Sequence, residues 1–410
     1  MDKPTANIVI IGHVDHGKST LIGRLLFETR SLPKGRLQEI RDASRELNKT
    51  LELAFLVDQL KEERQLERSI ETTQVSLRTA KRDYVLIDAP GHAEFITNML
   101  TGASRADAAL LIVDASEGIK DQTRRHAYLI KLLGIEKVIV ALNKMDLIKY
   151  QRARFEAIKK DLLRFLGDLP LTPFSIIPIS AKKGENVTRP SLRMKWNKES
   201  ALLETLNRLI LDKKKQIRPL RFCVQDIYPS GKENIAVGKV ISGSIQNGQH
   251  VKVLPSLRKT KVNQIRIYGI NRKIAQAGEN IGLSLEDMKD LKRGDIIADG
   301  NNFPKPLRTL KSTVFWLSEE PLRLNQSFLL RLATQEVECV AKKIERPIDS
   351  ATLKTGEEKA KELKSNQAAT VTLLTKKPLV AENFSFIDEL GRFVIERENR
   401  LQGLGIVSNL

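Results

Sequence analysis

One short glycine-rich segment limits what this chain can fold into. Residues 12–19 read Gly-His-Val-Asp-His-Gly-Lys-Ser and fit the pattern GxxxxGK[ST], between an apolar run at 7–11 and an apolar-periodic stretch at 21–26. A strand, a tight loop and a helix in this order turn backbone N–H groups and a helix N-terminus towards one anion. The segment predicts a phosphate-binding loop in which Lys18 reaches the outer phosphates and the Ser19 hydroxyl ligates Mg²⁺. The predicted nucleotide-binding residues here are Asp15, His16, Gly17, Lys18, Ser19 and Thr20.

The first half of the chain alternates short apolar runs with longer amphipathic stretches. We expect buried strands at residues 7–11, 83–87, 108–113, 137–142 and 174–179, and helices at 121–133 and 153–165. Nearly continuous apolar runs are typical of parallel strands covered on both faces. The pattern therefore predicts an α/β P-loop domain with a mostly parallel sheet over residues 1–214.

The second half has a different pattern. Closely spaced short strands with turn signals, such as Asn247-Gly248 and Ala277-Gly278, predict two antiparallel β-barrel domains, at 215–303 and 304–410. A Pro-punctuated stretch at 301–306 is the candidate linker, and 349–365 is expected to be helical or a loop. The run Lys213-Lys214-Lys215 is interpreted as a solvated hinge, with a phosphate-binding patch as the alternative.

Three more polar motifs each follow a predicted parallel strand, where open α/β sheets bind ligands. Residues 88–92, Asp-Ala-Pro-Gly-His, supply Asp88 as a magnesium ligand through water and a Gly91 N–H that senses the γ-phosphate. Asn143-Lys144-Met145-Asp146 supplies a carboxylate for both guanine N–H donors, with Asn143 and Lys144 bracing the phosphate loop and the base. Ser180-Ala181-Lys182 supplies a backbone N–H for the guanine oxygen. The order of the motifs favours a guanine nucleotide, GTP or GDP. The predicted contacts are Gly91, Asn143, Lys144, Asp146, Ser180, Ala181 and Lys182.

These motifs together resemble those of the translation-factor-type GTPase superfamily. The resemblance implies a GTPase domain followed by two β-barrels, binding of GTP or GDP with Mg²⁺, and catalysis by His92 at the attacking water. Softer stretches resemble the GTPase subunit of bacterial sulfate adenylyltransferase: residues 21–26, 53–58, 121–126, 252–256 and 314–316.

The sulfate adenylyltransferase resemblance implies a GTP-hydrolysing regulatory subunit in sulfate assimilation. It would couple GTP hydrolysis to adenylyl sulfate formation by a smaller ATP- and sulfate-using nucleotidyltransferase partner. The alternative is an elongation GTPase that delivers aminoacyl-tRNA to the ribosome, with RNA as the partner.

The first switch departs from the pattern of the superfamily. The aligned residues are Glu67-Arg68-Ser69, where the superfamily usually has Gly-Ile-Thr. Ser69 keeps a hydroxyl that can ligate Mg²⁺. Arg68 replaces an apolar gate residue opposite Val14, so either hydrolysis is altered or the alignment of this segment slips by one or two residues. A solvated charged helix is the alternative interpretation of this segment.

Composition limits the partners and the compartment. The chain has 410 residues and a formal net charge of +19, and residues 151–300 hold 29 basic and 15 acidic side chains. Such an excess attracts RNA or another polyanion, or serves only solubility. No apolar run reaches the roughly 20 residues of a membrane span and no secretion signal is visible. Two isolated cysteines fit a reducing cytoplasm, so we expect a cytoplasmic protein without a structural metal.

Overall fold

The structure, a computed structural model, describes residue 3 and residues 5–32, 74–88, 106–210, 218–230, 233–267 and 270–409. The chain divides into two compact units, Met1–Asp212 and Lys213–Leu410. The predicted boundaries of the three domains, at 214/215 and 303/304, stay predictions.

The first unit is built on a sheet that has six strands within the described residues, in the order β2-β3-β1-β4-β5-β6. All neighbours are parallel except β2, which pairs antiparallel with β3. This confirms the predicted P-loop domain with a mostly parallel sheet. The strands are β1 (Thr5–Gly12), β2 (Gln74–Arg78), β3 (Asp83–Asp88), β4 (Ala108–Asp114), β5 (Val138–Asn143) and β6 (Ser175–Pro178). The helices are α1 (Lys18–Glu28), α2 (Asp121–Leu132), α3 (Arg152–Asp168) and α4 (Leu202–Arg208).

Hydrophobic burial fixes this sheet. Every residue of β4 and β5 is buried, as expected for central strands that helices cover on both faces. Helix α1 packs against the same core through Leu21, Ile22, Leu25 and Leu26, whose spacing repeats once per helical turn. The phosphate-loop motif therefore directly follows β1, a central strand that lies between β3 and β4.

The first barrel in the second unit is a closed ring of antiparallel strands. Its described strands pair in the order β10-β15-β7-β8-β14-β11-β12, and an additional β10–β11 pairing closes the ring. The strands are β7 (Arg221–Ser230), β8 (Glu233–Ser242), β9 (Ser244–Gln246), β10 (His250–Leu254), β11 (Arg258–Ile267), β12 (Ile270–Arg272), β13 (Ile274–Gln276), β14 (Asn280–Leu285) and β15 (Ile296–Asp299). Gly248, Gly278 and Gly294 have positive φ at the predicted turns, which glycine permits without strain.

The second barrel closes in the order β16-β21-β19-β18-β22-β23. Its elements are β16 (Leu307–Trp316), β17 (Leu322–Arg323), β18 (Ser327–Leu332), β19 (Gln335–Asp349), β20 (Glu362–Leu363), β21 (Gln367–Leu379), α5 (Asp388–Gly391), β22 (Arg392–Arg397) and β23 (Arg400–Asn409). The two barrels confirm the predicted fold class. Of the two options for 349–365, the structure has turns and the short strand β20.

A buried ion pair joins the two barrels. Arg221 at the start of β7 donates from Nε and Nη2 to the two carboxylate oxygens of Glu382, both at 2.9 Å. Its Nη1 donates to the carbonyl oxygens of Leu220 and Asn302, both at 2.8 Å. Arg221 is 1% exposed, so its charge is compensated inside the protein. Cys223 and Leu254 of the first barrel share a core with the second, in the same cluster as Leu310.

The predicted linker, the lysine run and the first switch lie outside the helices and strands given above. The predicted linker at 301–306 contains no helix or strand and leads directly into β16. The run Lys213–Lys215 and the first-switch residues Glu67, Arg68 and Ser69 lie outside the described residues. Within the described part of the chain, no helix is long and apolar enough to cross a membrane.

Candidate guanine-nucleotide site

The phosphate loop runs from the end of β1 to the start of α1. Asp15 and Gly17 have positive φ, 64° and 90°. A Cβ at Gly17 would lie 2.5 Å from Asn143 Nδ2, so this position combines left-handed backbone with close packing and requires glycine. The tight loop brings the first N–H groups of α1 to the carboxyl end of the sheet, where the positive end of the helix dipole favours an anion.

Lys18 lies across this loop. Its Nζ donates to the carbonyl oxygens of Gly12 at 2.8 Å and His13 at 3.0 Å. The ammonium group is thereby held at the mouth of the loop that was predicted to bind phosphate. Ser19 and Thr20 follow in the first turn of α1.

His16 is an internal anchor of the loop. Its ring is 1% exposed, and Nδ1 lies 3.3 Å from the carbonyl oxygen of Ile112 on β4. Burial lowers the pKa of His16, although the Ile112 carbonyl and Asp114 oppose the shift. A neutral imidazole therefore ties the loop to the sheet, and the predicted nucleotide contact of His16 stays a prediction.

Asn143 connects the phosphate loop with the loop after β6. Its side chain is buried; Nδ2 donates to the His16 carbonyl at 2.8 Å, and Oδ1 accepts from the Ala181 N–H at 2.9 Å. One amide thus fixes two of the predicted binding loops relative to each other. The prediction gave Asn143 a bracing role, and the geometry is that of a brace.

Lys144 is held by a carboxylate that the sequence analysis missed. Its Nζ lies 2.8 Å from Oδ2 of Asp114, the last residue of β4, and the backbone of Lys144 is left-handed, with φ 63°. Burial raises the pKa of Asp114, but hydrogen bonds from Lys144 and Ser116 outweigh burial and leave the pKa lowered. Asp114 ends an otherwise apolar buried strand, which is the sequence signal that could have revealed it.

Asp146 carries the carboxylate predicted to read guanine. Its Oδ1 accepts from the Ser180 hydroxyl at 2.6 Å, and the same hydroxyl accepts from the Lys183 N–H at 3.2 Å. This contact joins the two predicted base-reading loops and orients the half-buried carboxylate.

Arg24 is a second residue that the sequence analysis missed. It lies on α1, and its Nε donates to the Ala181 carbonyl at 2.9 Å and its Nη2 to the Lys182 carbonyl at 2.5 Å. Helix α1 therefore begins at the phosphate loop and holds the loop after β6 with its second turn.

The predicted magnesium ligands are only partly described. Asp88 ends β3, is 4% exposed, and pairs in register with Ile10, two residues before Gly12 on β1. A serine hydroxyl and a carboxylate are oxygen donors of the type that Mg²⁺ prefers, so Ser19 and Asp88 fit this ion chemically. Ser69, Gly91 and His92 lie outside the described residues.

Comparisons with known proteins identify the family. The family described as elongation factor Tu GTP binding domain matches residues 3–213. Elongation factor Tu domain 2 matches residues 234–298, and the GTP-eEF1A C-terminal domain-like family matches residues 309–408. The chain belongs to the translation-factor GTPase family. Its first unit is therefore a GTP-binding domain of the GTPase class.

Two archaeal relatives match this chain over nearly its full length and carry the same name. Elongation factor 1-alpha of Pyrococcus furiosus is 36% identical over 422 residues, which cover 100% of this chain and 98% of the relative. Elongation factor 1-alpha of Thermoplasma volcanium is 36% identical over 96% of this chain and 95% of the relative. A crystal structure of sup35 complexed with GDP covers 100% of this chain and 95% of its own at 23% identity and a TM-score of 0.46, a likeness that supports no functional inference.

The sulfate adenylyltransferase prediction is wrong. The full-length relatives of Pyrococcus furiosus and Thermoplasma volcanium are elongation factors, so neither membership of a nucleotidyltransferase complex nor a smaller adenylylating partner is supported. Core positions in three of the resembling stretches explain the error: residues 21, 22, 25 and 26 are buried in the first unit, and residues 253, 254 and 314–316 in the second. Of the other two stretches, 121–126 buries only Thr123 and His126, and 53–58 lies outside the described residues. Core side chains report the fold that GTPases of this type share and carry little information about the partner.

Proposed function

We propose that this translation-factor GTPase is an elongation factor that carries aminoacyl-tRNA in its GTP-bound state and releases it at the ribosome after hydrolysis. The observation that carries the proposal is the full-length similarity to proteins named elongation factor 1-alpha, at 36% identity over 100% of this chain. The basic excess in residues 151–300 supports it, because RNA binding gains free energy when cationic side chains replace the counterions of phosphates.

The nucleotide roles follow from the loop geometry. The backbone from Asp15 to Thr20 and the Lys18 ammonium would hold the phosphates, while Asp146 would accept from guanine. The Ser180–Lys182 loop would donate a backbone N–H to the guanine oxygen. Asn143 and Lys144 would keep these loops in place rather than contact the nucleotide through their polar ends, since Asn143 already bonds two loop backbones and Lys144 pairs with Asp114.

Magnesium would be held by Ser19 and Asp88, with Ser69 as the proposed switch ligand. Bound there, it would neutralise charge on the outer phosphates. His92, the proposed catalytic residue, would orient the attacking water. Removal of its side chain is expected to slow single-turnover hydrolysis by roughly a hundredfold or more without loss of GTP affinity. Unchanged turnover of His92→Ala would remove that assignment.

A cavity on the first barrel is a candidate binding site for one end of the RNA. It has a volume of about 550 Å³, and its lining includes Gln225, Gly238, Arg266, Glu279, Asn280 and Gly282. Three glycines in the lining, at 238, 278 and 282, would let a flat base approach the backbone, and Arg266 would provide a cation for a phosphate or for stacking. Loss of the Arg266 guanidinium is expected to weaken aminoacyl-tRNA binding roughly tenfold.

The test is a filter-binding titration with aminoacylated tRNA in the presence of GTP or GDP. We expect tight binding with GTP, much weaker binding with GDP, and a steep loss of affinity as salt rises. Deacylated tRNA is the matched control ligand. Equal binding of acylated and deacylated tRNA in both nucleotide states would reject the proposal.

A further inference from the structure

The GTP-binding unit has a second cavity, apart from the loops that face the nucleotide. It has a volume of about 720 Å³ and lies among the end of α1, the end of β2 and the turn that follows it, and the segment after the guanine loop. The lining residues are Lys3, Glu28, Thr29, Arg78, Thr79, Ala80, Lys183, Gly184, Thr188, Arg189 and Leu203. A volume of this size is in the range of sites for small ligands or for one or two nucleotides.

The rim of this cavity is positively charged. Lys3, Arg78, Lys183 and Arg189 come from three separate parts of the chain, since Lys183 and Arg189 share the segment after the guanine loop, and all four side chains are exposed. None of them forms an ion pair with another described residue, although many other arginines and lysines of the described chain do. Lys3 is positioned by a hydrogen bond from Nζ to the Thr79 carbonyl at 2.9 Å.

The single acidic group of the described lining is already engaged. Glu28 Oε2 accepts a short hydrogen bond from the Thr188 hydroxyl, and Oε1 lies 3.6 Å from Arg24 Nη1. The loop packs closely on this carboxylate, since a Cβ at Gly184 would lie 2.6 Å from Glu28 Oε1. Arg24 therefore balances Glu28 at the floor, and the four rim cations give the cavity its net charge.

We propose that this cavity binds the phosphates of a single-stranded RNA segment. Cations on several walls can contact successive phosphates, while Ala80 and Leu203 offer apolar surface to a ribose or base. A free nucleotide carries the same phosphate chemistry. RNA is preferred over a free nucleotide because the cavity is open to solvent along its rim and because the proposed function already involves RNA. This choice between the two ligands is the only step that rests on the proposed function.

The test uses the full chain saturated with GDP, so that the primary nucleotide site is filled. Fluorescence anisotropy with a labelled twelve-nucleotide single-stranded RNA measures affinity at several salt concentrations. We compare the wild type with Arg78→Ala/Arg189→Ala, which removes two rim cations that lie outside the guanine loop. The matched control is Lys195→Ala/Lys198→Ala, which removes two exposed cations from the same unit away from the cavity.

The rim variant is expected to bind the RNA roughly tenfold more weakly and to lower the salt slope by about one to two, while the control stays within about twofold of the wild type. Both variants should keep wild-type affinity for GDP. Equal weakening by rim and control variants, or an unaffected rim variant, overturns the cavity. Displacement of the RNA by CMP at equal phosphate concentration overturns the RNA source and assigns the site to a free nucleotide. The assay contains neither GTP nor aminoacyl-tRNA, so its outcome is independent of the test of aminoacyl-tRNA delivery.

Discussion

The two units of this protein use buried polar side chains in opposite ways. In the GTP-binding unit, His16, Asp114 and Asn143 lie at the carboxyl ends of strands or in the loop that follows, and each fixes a loop that faces the nucleotide site. In the second unit, Arg221 and Glu382 join one barrel to the other. The first network positions residues for a ligand, and the second positions whole domains.

This difference means that the two networks should fail separately. Loss of a loop brace leaves the apolar sheet intact, because β4 and β5 are buried through hydrophobic contacts. Loss of one partner of the inter-barrel pair leaves a buried charge that no water can reach. Four substitutions test the separation.

The largest expected effect is on the stability of the two-barrel unit. Glu382→Ala leaves the Arg221 guanidinium buried without its carboxylate, which costs about 3–5 kcal/mol of unfolding free energy. Urea unfolding measures this loss, and GDP affinity should not change. The control is Glu336→Ala, which removes one of the two carboxylate partners of the half-exposed Arg331 and should cost less than about 1 kcal/mol. Similar losses for the two variants would show that the inter-barrel pair has no special weight.

The next effect is on nucleotide affinity. Asn143→Ala removes the hydrogen bonds to the His16 carbonyl and from the Ala181 N–H and leaves both groups poorly satisfied. We expect GDP binding to weaken by about 2–3 kcal/mol, roughly 30- to 150-fold. Isothermal titration with GDP measures this, and the urea midpoint of the two-barrel unit should stay constant. A change of less than threefold would argue against the bracing role.

Base selectivity should change with a somewhat smaller free energy. Asp146→Asn removes a carboxylate that can accept from both guanine donors, so GDP affinity should fall by about 2 kcal/mol while xanthosine diphosphate gains. Competition between the two nucleotides on one preparation measures the switch. Ser180→Ala is the companion variant, because it removes the 2.6 Å contact to Asp146 but keeps the carboxylate. Retained guanine preference in Asp146→Asn would place base recognition elsewhere.

The smallest effect is a pH dependence in the second unit. Burial, followed by the contact with Asp388, raises the pKa of Glu389 on α5 to about 7, above its ordinary value of 4.5. The folded state therefore keeps a proton that the unfolded chain releases, and stability should fall as pH rises from about 4.5 to 7.

Glu389→Gln should remove part of this slope and stabilise the unit at pH 8 by about 1 kcal/mol. Urea unfolding between pH 5 and pH 8 checks the prediction, with the exposed Glu398→Gln as control. Parallel pH profiles of wild type and Glu389→Gln would contradict it.

The sequence predicted the strands that are apolar throughout and missed the one that is not. The run at 108–113 corresponds to β4 (Ala108–Asp114) because every position there is buried. Strand β2 reads Gln-Val-Ser-Leu-Arg and buries only Val75 and Leu77, since it lies at the edge of the sheet. An alternation with only two buried residues is too short a pattern to distinguish β2 from the charged segment that precedes it.

The candidate site residues could be predicted from the sequence where one short motif contains all the residues of one predicted binding role. Lys18, Asn143 and Asp146 stand in such motifs, and the structure brings their loops together at one edge of the sheet. Arg24 contacts a residue 157 positions away in sequence, and no local pattern reveals such a contact. The place of Asp114 at the end of an apolar strand marks it as a candidate, but does not reveal its partner Lys144, 30 positions away. The partner could not be predicted from packing residues, and the sulfate prediction failed for that reason.

The contacts of α1 set a molecular ruler. The helix starts at the phosphate loop with Lys18, and Arg24, six residues later, holds the Ala181 and Lys182 carbonyls. At 1.5 Å per residue, this separation amounts to about 9 Å along the axis. One inserted residue between them would turn Arg24 by about 100° and withdraw it from the loop. Fewer than two turns of one helix therefore set the spacing between the phosphate loop and the loop after β6, so a change in the length of this helix would alter that spacing.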